Sequence, residues 1–328
     1  MNVGISANAL RQKIEENNMI LTVTANAAID KRYVVDAFDV GEVNRVKSCA
    51  PTAGGKGLNV ARVAYLAGAE VTATGFLGGH AGKFIEERII EQGMKSEFVW
   101  CDGESRTCIN IWDEAKKQQT EFLEPGFEVT ESDCDKLIEK IENLLPSCKV
   151  LTISGSVPKG ADAVLYKKMI RAAKNAEIPV LLDTSGNLLK ECVEEQPTLL
   201  KPNIDEIRAL TGRHMGSRED LLVAAEELHA KGVEIVAISL GGDGSLVSCK
   251  EGIFDVKVPH IDAVNTVGCG DSMIAGFAVG IARGLDMEGI LRLASAVSAA
   301  NAMRMETGFI VREDMEALLP QIMIQKIK

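Results

Sequence analysis

The sequence predicts an α/β protein: a mostly parallel β-sheet with helices on both faces, accompanied by a small, separate β-sheet. From residue 130 onward, apolar runs of strand length alternate with longer amphipathic stretches. This alternation is typical of βαβ units, whose strands are parallel and whose connections are helical. Residues 98–123 differ, because turn-like segments, DGES and DEAKK, join their apolar runs without a helix. They indicate a small antiparallel sheet, to which we add residues 32–49.

The individual elements follow from the spacing of apolar residues. In 57–68, Leu58, Ala61 and Tyr65 recur at helical spacing, and Gly68 ends the helix. Short apolar runs bounded by turn residues are assigned as strands. We predict strands at 20–25, 32–36, 71–76, 148–153, 179–183, 198–201, 234–239, 245–248 and 253–258, a β-like segment at 45–49, and helices at 57–68, 83–93, 131–144, 162–175, 203–211, 218–230, 271–283, 286–304 and 312–321.

Length and composition favour a single domain with a sizeable core. The chain has 328 residues, of which 46% are hydrophobic. This size suits one large α/β domain. We predict that the domain covers 19–328 and that about 32–49 and 98–123 form a lid over it. Residues 1–18 lack the apolar segment of a secretory signal and are interpreted as an N-terminal extension.

Charge and cysteine usage exclude several classes of function. The net charge of −11 argues against binding to nucleic acid or to an anionic membrane. No apolar run of about 18 residues is present, so no membrane span is predicted. The 8 cysteines form no CxxC pair, and their scatter favours reduced thiols in a cytoplasmic protein. An anionic substrate must therefore be met by a few local cations.

The sharpest chemical signal is the segment 265–273, NTVGCGDSM, which leads into an apolar helix. The first N–H groups of a helix have no intrahelical acceptor, and the helix dipole favours an anion there. Asp271 can accept a hydroxyl proton while the N–H groups of Gly268, Cys269 and Gly270 stabilise a phosphoryl group. The alternative is an aspartate that only caps the helix.

Two polar segments near the N-terminus suit a polyhydroxyl ligand. The turn around Gly54, Gly55 and Lys56 enters a helix that carries Asn59, which supplies a cation and an amide beside exposed backbone. Asp30 follows the first strand, and ligands bind at the carboxyl ends of parallel strands. Each segment alone is also consistent with an ordinary turn.

Three further segments are candidates for the nucleotide, a metal ion and a phosphate. In KPNIDE, Asn203 and Glu206 lie three residues apart at a helix start and suit Mg²⁺. The alternative is a capping box, and both interpretations can hold together. SLGGDG, which begins at Ser239, follows a strand and can lie along nucleotide phosphates. Arg106 can clamp a substrate phosphate or be an ordinary surface arginine.

Taken together, these segments identify a family. The chain resembles the ribokinase-like (PfkB) carbohydrate kinases, and within them the 1-phosphofructokinase and tagatose-6-phosphate kinase group. The resemblance runs from residue 19 to about 321 and lies in segments that occur in family order: TANAAID at 24–30, TAGGKGLNVARV at 52–63, SGSVPKG at 154–160, LLDTSG at 181–186, KPNIDE at 201–206, SLGGDG at 239–244 and NTVGCGDSMIAG at 265–276.

The resemblance implies a fold, cofactors and residue roles. The fold is a Rossmann-like αβα sandwich with a small β-sheet lid that pairs two subunits into a homodimer. The reaction is the ATP- and Mg²⁺-dependent phosphorylation of a ketohexose monophosphate. The implied roles are Asp271 as the base; Gly268, Cys269 and Gly270 as the anion hole; Asp30, Gly54, Gly55, Lys56, Asn59 and Arg106 at the sugar phosphate; Lys201, Asn203, Ser239, Gly241 and Gly244 at ATP; and Asn203 and Glu206 at Mg²⁺.

The chain departs from the family pattern at two positions, and several alternatives stay open. Ala27 replaces a usual proline, and Cys269 replaces a usual alanine or serine. GFEVT and SGSVP favour fructose 1-phosphate as substrate, whereas RTCINI, which lacks an expected lysine, favours tagatose 6-phosphate. A kinase for another sugar and a catalytically silent sugar-phosphate or nucleotide-binding regulator are the other candidates. The absence of GxGxxG argues against a dehydrogenase, and the absence of GxxxxGK[ST] argues against a Walker A nucleotide site.

Overall fold

The computed structural model describes residues 19–328 as two β-sheets and ten helices. The predicted N-terminal extension, 1–18, lies outside the described residues. The strands are β1 Met19–Thr24, β2 Ala28–Val35, β3 Ser48–Gly54, β4 Glu70–Leu77, β5 Lys95–Ser96, β6 Val99–Trp100, β7 Arg106–Asp113, β8 Gln118–Leu123, β9 Cys148–Ser154, β10 Val180–Asp183, β11 Leu199–Leu200, β12 Ile235–Ser239, β13 Ser245–Cys249, β14 Gly252–Lys257 and β15 Met323–Lys326.

The large sheet has 11 strands and is mostly parallel. Its order is β15-β14-β13-β12-β11-β10-β9-β1-β4-β5, and β6 also pairs with β4. Every pair from β12 to the β4 edge is parallel. The pairs β12/β13, β13/β14 and β14/β15 are antiparallel. The predicted mostly parallel sheet is therefore confirmed, with an antiparallel edge at one side.

Helices cover both faces of this sheet, which gives a three-layer αβα sandwich. One apolar core lies under α1, α2, α8, α9 and α10, and a second lies under α3 to α7. β1 contributes to both cores, because Ile20 faces one and Leu21 and Val23 face the other. The helices are α1 Lys56–Leu66, α2 Gly79–Glu91, α3 Glu131–Leu144, α4 Ala163–Asn175, α5 Gly186–Cys192, α6 Ile204–Thr211, α7 Arg218–Ala230, α8 Cys269–Ala282, α9 Met287–Ala302 and α10 Arg312–Leu318.

The small sheet has the order β3-β2-β7-β8. Its two hairpin pairs, β2/β3 and β7/β8, are antiparallel, but the central pair β2/β7 is parallel. The antiparallel pairing predicted within 98–123 is confirmed for β7/β8. The two segments join through a parallel pair, because the chain passes through α1, β4 and α2 before it returns beside β2. The predicted boundaries also differ: residues 99–100 pair with β4 in the large sheet, and the segment predicted at 45–49 is β3, at Ser48–Gly54.

Several helix boundaries differ from the predictions for identifiable reasons. α2 begins at Gly79, one turn before the predicted start at 83, because the distant Glu104 carboxylate accepts from the N–H groups of His80 and Ala81. The predicted helix 312–321 ends at Leu318 and continues as a 3₁₀ turn. The short helix α5 and the strand β15 were not predicted. Within residues 19–328, no helix is long and apolar enough to cross a membrane.

Candidate active site

A cavity of about 710 Å³ lies between the small sheet and the carboxyl ends of the parallel strands. It collects side chains and turns from both halves of the chain. Of the predicted site residues, Gly54 is the one that does not line this cavity. The lining includes Asp30, Gly55, Lys56, Asn59, Arg106, Lys201, Asn203, Glu206, Ser239, Gly241, Gly244, Gly268, Cys269, Gly270 and Asp271.

Asp271 lies in the first turn of α8 and lines the cavity. The helix begins at Cys269, two residues before the predicted start, and Gly268 precedes it with φ 82°. Asp271 is 6% exposed, and its Oδ2 accepts a hydrogen bond of 2.9 Å from Asn59 Nδ2. Burial raises the pKa of Asp271 to about 6, against the opposing attraction of the Lys56 ammonium. The carboxylate is therefore suited to exchange a proton near neutral pH.

The glycine turn before α8 is fixed by hydrogen bonds from α9. Asn301, which is fully buried, donates from Nδ2 to the Val267 carbonyl at 3.0 Å. Ser298 Oγ donates to the Cys269 carbonyl at 2.9 Å. The Cys269 N–H itself makes a long bond of 3.3 Å to the Thr266 carbonyl, so it is less free than predicted. Neither Asn301 nor Ser298 was predicted, because a polar residue in an apolar helix does not reveal its distant partner.

Two lysines meet at one buried carboxylate beside this turn. Asp183, at the end of β10, has Oδ2 3.3 Å from Lys56 Nζ and Oδ1 3.5 Å from Lys201 Nζ. Burial alone would raise the pKa of Asp183, but the two ammonium groups outweigh burial and lower it. Lys201 Nζ also lies 3.1 Å from the position that a Cβ on Gly270 would occupy. Asp183 was not predicted as a site residue, although it lies in LLDTSG at the end of a strand.

The opposite side of the cavity holds Asp30 and Arg106. The Asp30 carboxylate accepts from the Gly55 N–H, and burial raises its pKa. A Cβ on Gly54 would lie 2.0 Å from Asp30 Oδ2, so this glycine makes room for the carboxylate instead of lining the cavity. Arg106 Nε and Nη2 donate to the Asn26 carbonyl, and Nη1 donates to the Glu124 carbonyl at 3.1 Å. These bonds use three of its five N–H groups and leave two for a ligand.

Asn203 and Glu206 form a reciprocal capping box at the start of α6. Asn203 Oδ1 accepts from the Glu206 N–H at 2.8 Å, and Glu206 Oε2 accepts from the Asn203 N–H at 2.9 Å. The capping alternative is therefore correct, and the Glu206 Oε1 atom takes no part in the box. No group of three or more His, Cys, Asp or Glu within residues 19–328 is placed to hold a metal ion.

The far end of the cavity is built from backbone turns and apolar side chains. Gly241–Asp243 forms a 3₁₀ turn after β12, and Gly241 and Gly244 both have positive φ angles. Asn203 forms an isolated parallel bridge with Ser239, which joins this turn to the capping box. Val258, Ile261 and Ala302 also line the cavity and give it an apolar recess. The cavity therefore offers backbone polar groups as well as an apolar recess.

A buried carboxylate at a helix N-terminus, faced by two ammonium groups, is suited to deprotonating a hydroxyl while a phosphoryl group is held nearby. The arrangement is that expected of a phosphotransferase with an alcohol acceptor, the class to which the comparisons below assign the chain. The model of the pfkB family of carbohydrate kinases matches residues 21–314. The chain belongs to this family, whose members use ATP.

Individual relatives agree with this assignment over nearly the whole chain. Tagatose-6-phosphate kinase from Staphylococcus epidermidis is 37% identical, over 94% of this chain and 100% of the relative. The structure of phosphofructokinase-2 from Escherichia coli gives a TM-score of 0.86 at 26% identity, covering 92% of this chain and 98% of that one. A Thermotoga maritima structure described as a possible 1-phosphofructokinase also gives 0.86 at 26% identity, covering 94% and 100%.

Proposed function

We propose that the protein transfers the γ-phosphoryl group of ATP to tagatose 6-phosphate and forms tagatose 1,6-bisphosphate. The identity to tagatose-6-phosphate kinase, 37% over the full length of that relative, favours this substrate. The second candidate is fructose 1-phosphate, which would give fructose 1,6-bisphosphate. It is supported by the similarity to the Thermotoga maritima structure. Both substrates are ketohexose monophosphates with one free primary hydroxyl.

The observation that carries the proposal is the position of Asp271, buried beside the glycine turn and hydrogen-bonded to Asn59. Asp271 accepts the proton of the primary hydroxyl of the sugar as the hydroxyl oxygen attacks the γ-phosphorus. The bond between this phosphorus and the β–γ bridging oxygen breaks, and ADP leaves. The N–H groups at the start of α8 stabilise the charge on the transferred group. General-base assistance of this kind is worth roughly 10²–10⁴-fold.

Local cations offset the negative charge of two anionic substrates in a protein of net charge −11. Arg106 uses its two remaining N–H groups for the phosphate of the sugar. Lys56 is partly exposed to the cavity. Burial alone would lower the pKa of its ammonium group, but attraction to Asp183, Asp271 and Glu206 outweighs burial and raises the pKa. It therefore stays an ammonium at physiological pH and pairs with phosphate oxygens. Asp30, Gly55 and Asn59 bind sugar hydroxyls.

The nucleotide lies along the other half of the cavity. Its phosphates follow the turn from Ser239 to Gly244 and end near Lys201, and its base enters the apolar recess. Asn203 and Glu206 would hold Mg²⁺ through their oxygen atoms. When bound, this ion neutralises charge on the phosphates of ATP.

The protein assembles as a homodimer through the small sheet, which acts as a lid on the cavity. Glu121 and Leu123 of β8 line the cavity. Because side chains alternate along a strand, Phe122 points to the opposite face of the sheet, where it is 53% exposed. Val40 and Val43, in the loop between β2 and β3, are also exposed. A second copy covers this apolar surface.

A coupled ADP-release assay tests the activity and the substrate. Mg-ATP is supplied with tagatose 6-phosphate, fructose 1-phosphate, fructose 6-phosphate, or an unphosphorylated ketohexose. We expect the highest kcat/KM with tagatose 6-phosphate. A preference for fructose 1-phosphate selects the second candidate, and no ADP release with any acceptor contradicts the proposal.

The same assay tests the base. Asp271→Asn should reduce kcat by roughly 10²–10⁴-fold, while binding of the sugar phosphate persists in calorimetry. Asp286→Asn is the matched control, because Asp286 caps α9 outside the cavity and asparagine also caps well. Parental kcat in Asp271→Asn would exclude the base role.

A further inference from the structure

We propose that Arg62 is a positioning residue: it orients the Asn59 amide toward Asp271 and supplies a fixed positive charge behind the site. This inference rests on the proposed function of Asp271 and adds a residue behind it. Arg62 lies on α1, one turn after Asn59, and does not line the cavity. It therefore acts on the reaction through Asn59, not through contact with a substrate.

The guanidinium of Arg62 is buried among neutral acceptors. The residue is 5% exposed. Its Nη1 donates at 3.2 Å to Asn59 Oδ1 and to the carbonyls of Thr307 and Gly308. Its Nη2 donates to the Ala53 carbonyl. A buried charge without a directly paired carboxylate is costly, so a purely structural role would be served better by an apolar side chain.

The hydrogen bond to Asn59 determines which end of the amide faces Asp271. Arg62 can only donate, so it selects Oδ1 as its partner. The amide nitrogen Nδ2 must then point the other way, where it donates to Asp271 Oδ2 at 2.9 Å. Without Arg62, the amide can turn over and place its oxygen against the carboxylate. The reversed amide would repel the ionised base.

A third contact holds Asn59 in this orientation. Gly308, whose carbonyl accepts from Arg62, has φ 62°, and a Cβ there would lie 2.7 Å from Asn59 Cβ and Oδ1. The backbone at 307–308 is therefore packed directly on the amide. Arg62 thus connects three parts of the protein by hydrogen bonds: the glycine turn through the Ala53 carbonyl, the 307–308 loop, and Asn59, which contacts the base.

The charge of Arg62 also affects the proton affinity of the Asp271 carboxylate. Burial lowers the pKa of Arg62, and the carboxylates of Asp30 and Asp271 oppose this effect. By the same interaction, Arg62 favours the ionised form of Asp271. The other ionisable groups whose charge acts on Asp271 come from α1, β10, the end of β11 and α8 itself: Lys56, Asp183, Lys201 and Cys269.

The experiment compares Arg62→Met and Arg62→Lys with the parent. Arg62→Met removes the charge and the donor, so kcat should fall roughly tenfold or more, and the acid limb of the kcat–pH profile should move to higher pH. Arg62→Lys keeps the charge but lacks the planar fork. Its acid limb should return toward that of the parent, while kcat stays reduced.

Arg292→Met is the matched control. Arg292 also donates to two backbone carbonyls, those of Leu319 and Ile322, but lies outside the cavity. This variant should lose stability and keep the parental acid limb. A parental acid limb and kcat in a folded Arg62→Met overturns the proposal. If Arg62→Met does not fold, parental kcat in Arg62→Lys overturns it.

A second readout separates this inference from the proposed function. Carbon-13 NMR titration of the Asp271 carboxyl group needs no substrate. A higher Asp271 pKa in Arg62→Met supports the positioning role even if the parent phosphorylates no sugar. An unchanged Asp271 pKa in Arg62→Met, with an active parent, overturns the positioning role and leaves the kinase activity intact.

Discussion

Asp271 combines two demands that oppose each other. Proton transfer is favoured by a carboxylate that is buried and has a pKa near the working pH. The same burial makes the ionised form costly to fold, because the charge loses its hydration. The hydrogen bond from Asn59 and the nearby ammonium groups offset only part of this cost, since the pKa remains raised to about 6. The residue proposed to be essential for turnover therefore destabilises the folded state at neutral pH.

Replacement of this carboxylate should stabilise the protein in a pH-dependent way. The folded state holds the Asp271 proton more tightly than the unfolded state, so the penalty is absent well below pH 4 and complete above pH 6. A shift from 3.8 to about 6 corresponds to about 3 kcal/mol. Asp271→Asn should thus melt several degrees above the parent at pH 8, with a much smaller difference at pH 4.5. Calorimetry of both proteins measures this, and an equal difference at the two pH values contradicts the explanation.

Site residues that have a signal in the local sequence could be predicted, whereas site residues whose role depends on distant partners could not. Asp271 and Lys56 stand beside glycine turns at helix starts, which is a local signal. Asp183 was missed because its partners, Lys56 and Lys201, lie elsewhere in the chain. In the sequence, Arg62 is one residue of an amphipathic helix. Its hydrogen bonds to the 307–308 loop are seen only in the structure.

At the scale of an element, α8 depends on the conformation of one residue before it. Gly268 has φ 82°, and a Cβ there would lie 2.8 Å from the Gly308 nitrogen and 3.0 Å from Thr307 Cγ2. A side chain would therefore be strained and would also push the turn away from the 307–308 loop. The direction of the first N–H groups of α8 is set by this fit.

Gly268→Ala should reduce kcat by roughly tenfold or more, because a small displacement of preorganised donors weakens their stabilisation of the transferred group. Gly284→Ala is a matched control: Gly284 also has a positive φ, of 65°, but a Cβ there would meet nothing within 4 Å. Both variants should melt below the parent, since alanine is disfavoured at positive φ by about 1–2 kcal/mol. Kinetics and melting of the two variants test this. Equal kcat in both would mean that the position of the turn does not matter.

Elements with regular apolar spacing were predicted, whereas elements that depend on tertiary contacts were not. The long helices α3, α4 and α7 begin with polar capping residues, which mark their starts in the sequence. The start of α2 has glycines and is capped by the distant Glu104. β15 is largely exposed and is defined by its pairing with β14.

At the scale of the whole molecule, the small sheet could be predicted only in part. Local turn residues indicate the hairpin β7/β8, but no local signal says which strands become neighbours over a long intervening segment. The parallel pair β2/β7 joins residues that are 78 positions apart, such as Ala28 and Arg106. Its direction follows from the crossover through α1, β4 and α2, which composition and spacing do not reveal.

The proposed dimer gives a prediction at the same scale. Phe122→Asp places a charge on the apolar outer face of the small sheet, so it should convert a dimer to a monomer in size-exclusion chromatography with light scattering. Ile90→Asp on α2 is the matched control, because Ile90 is exposed to a similar extent, 57%, on a helix that packs on the large sheet. A monomeric parent, or a dimer that survives Phe122→Asp, contradicts the assembly through this surface.

The order of the site residues along the chain has a consequence for how substrate preference is inherited. With the proposed roles, the residues that bind the sugar and its phosphate lie between Asp30 and Arg106. Those that bind the nucleotide lie between Lys201 and Gly244, and the base Asp271 follows them. The connection from β8 to α3, residues 124–130, separates the two sets. A single recombination event in this connection would exchange the preference for one sugar phosphate while it preserved the preference for the phosphoryl donor. New acceptor specificities could thus spread within the family without renewed selection for ATP.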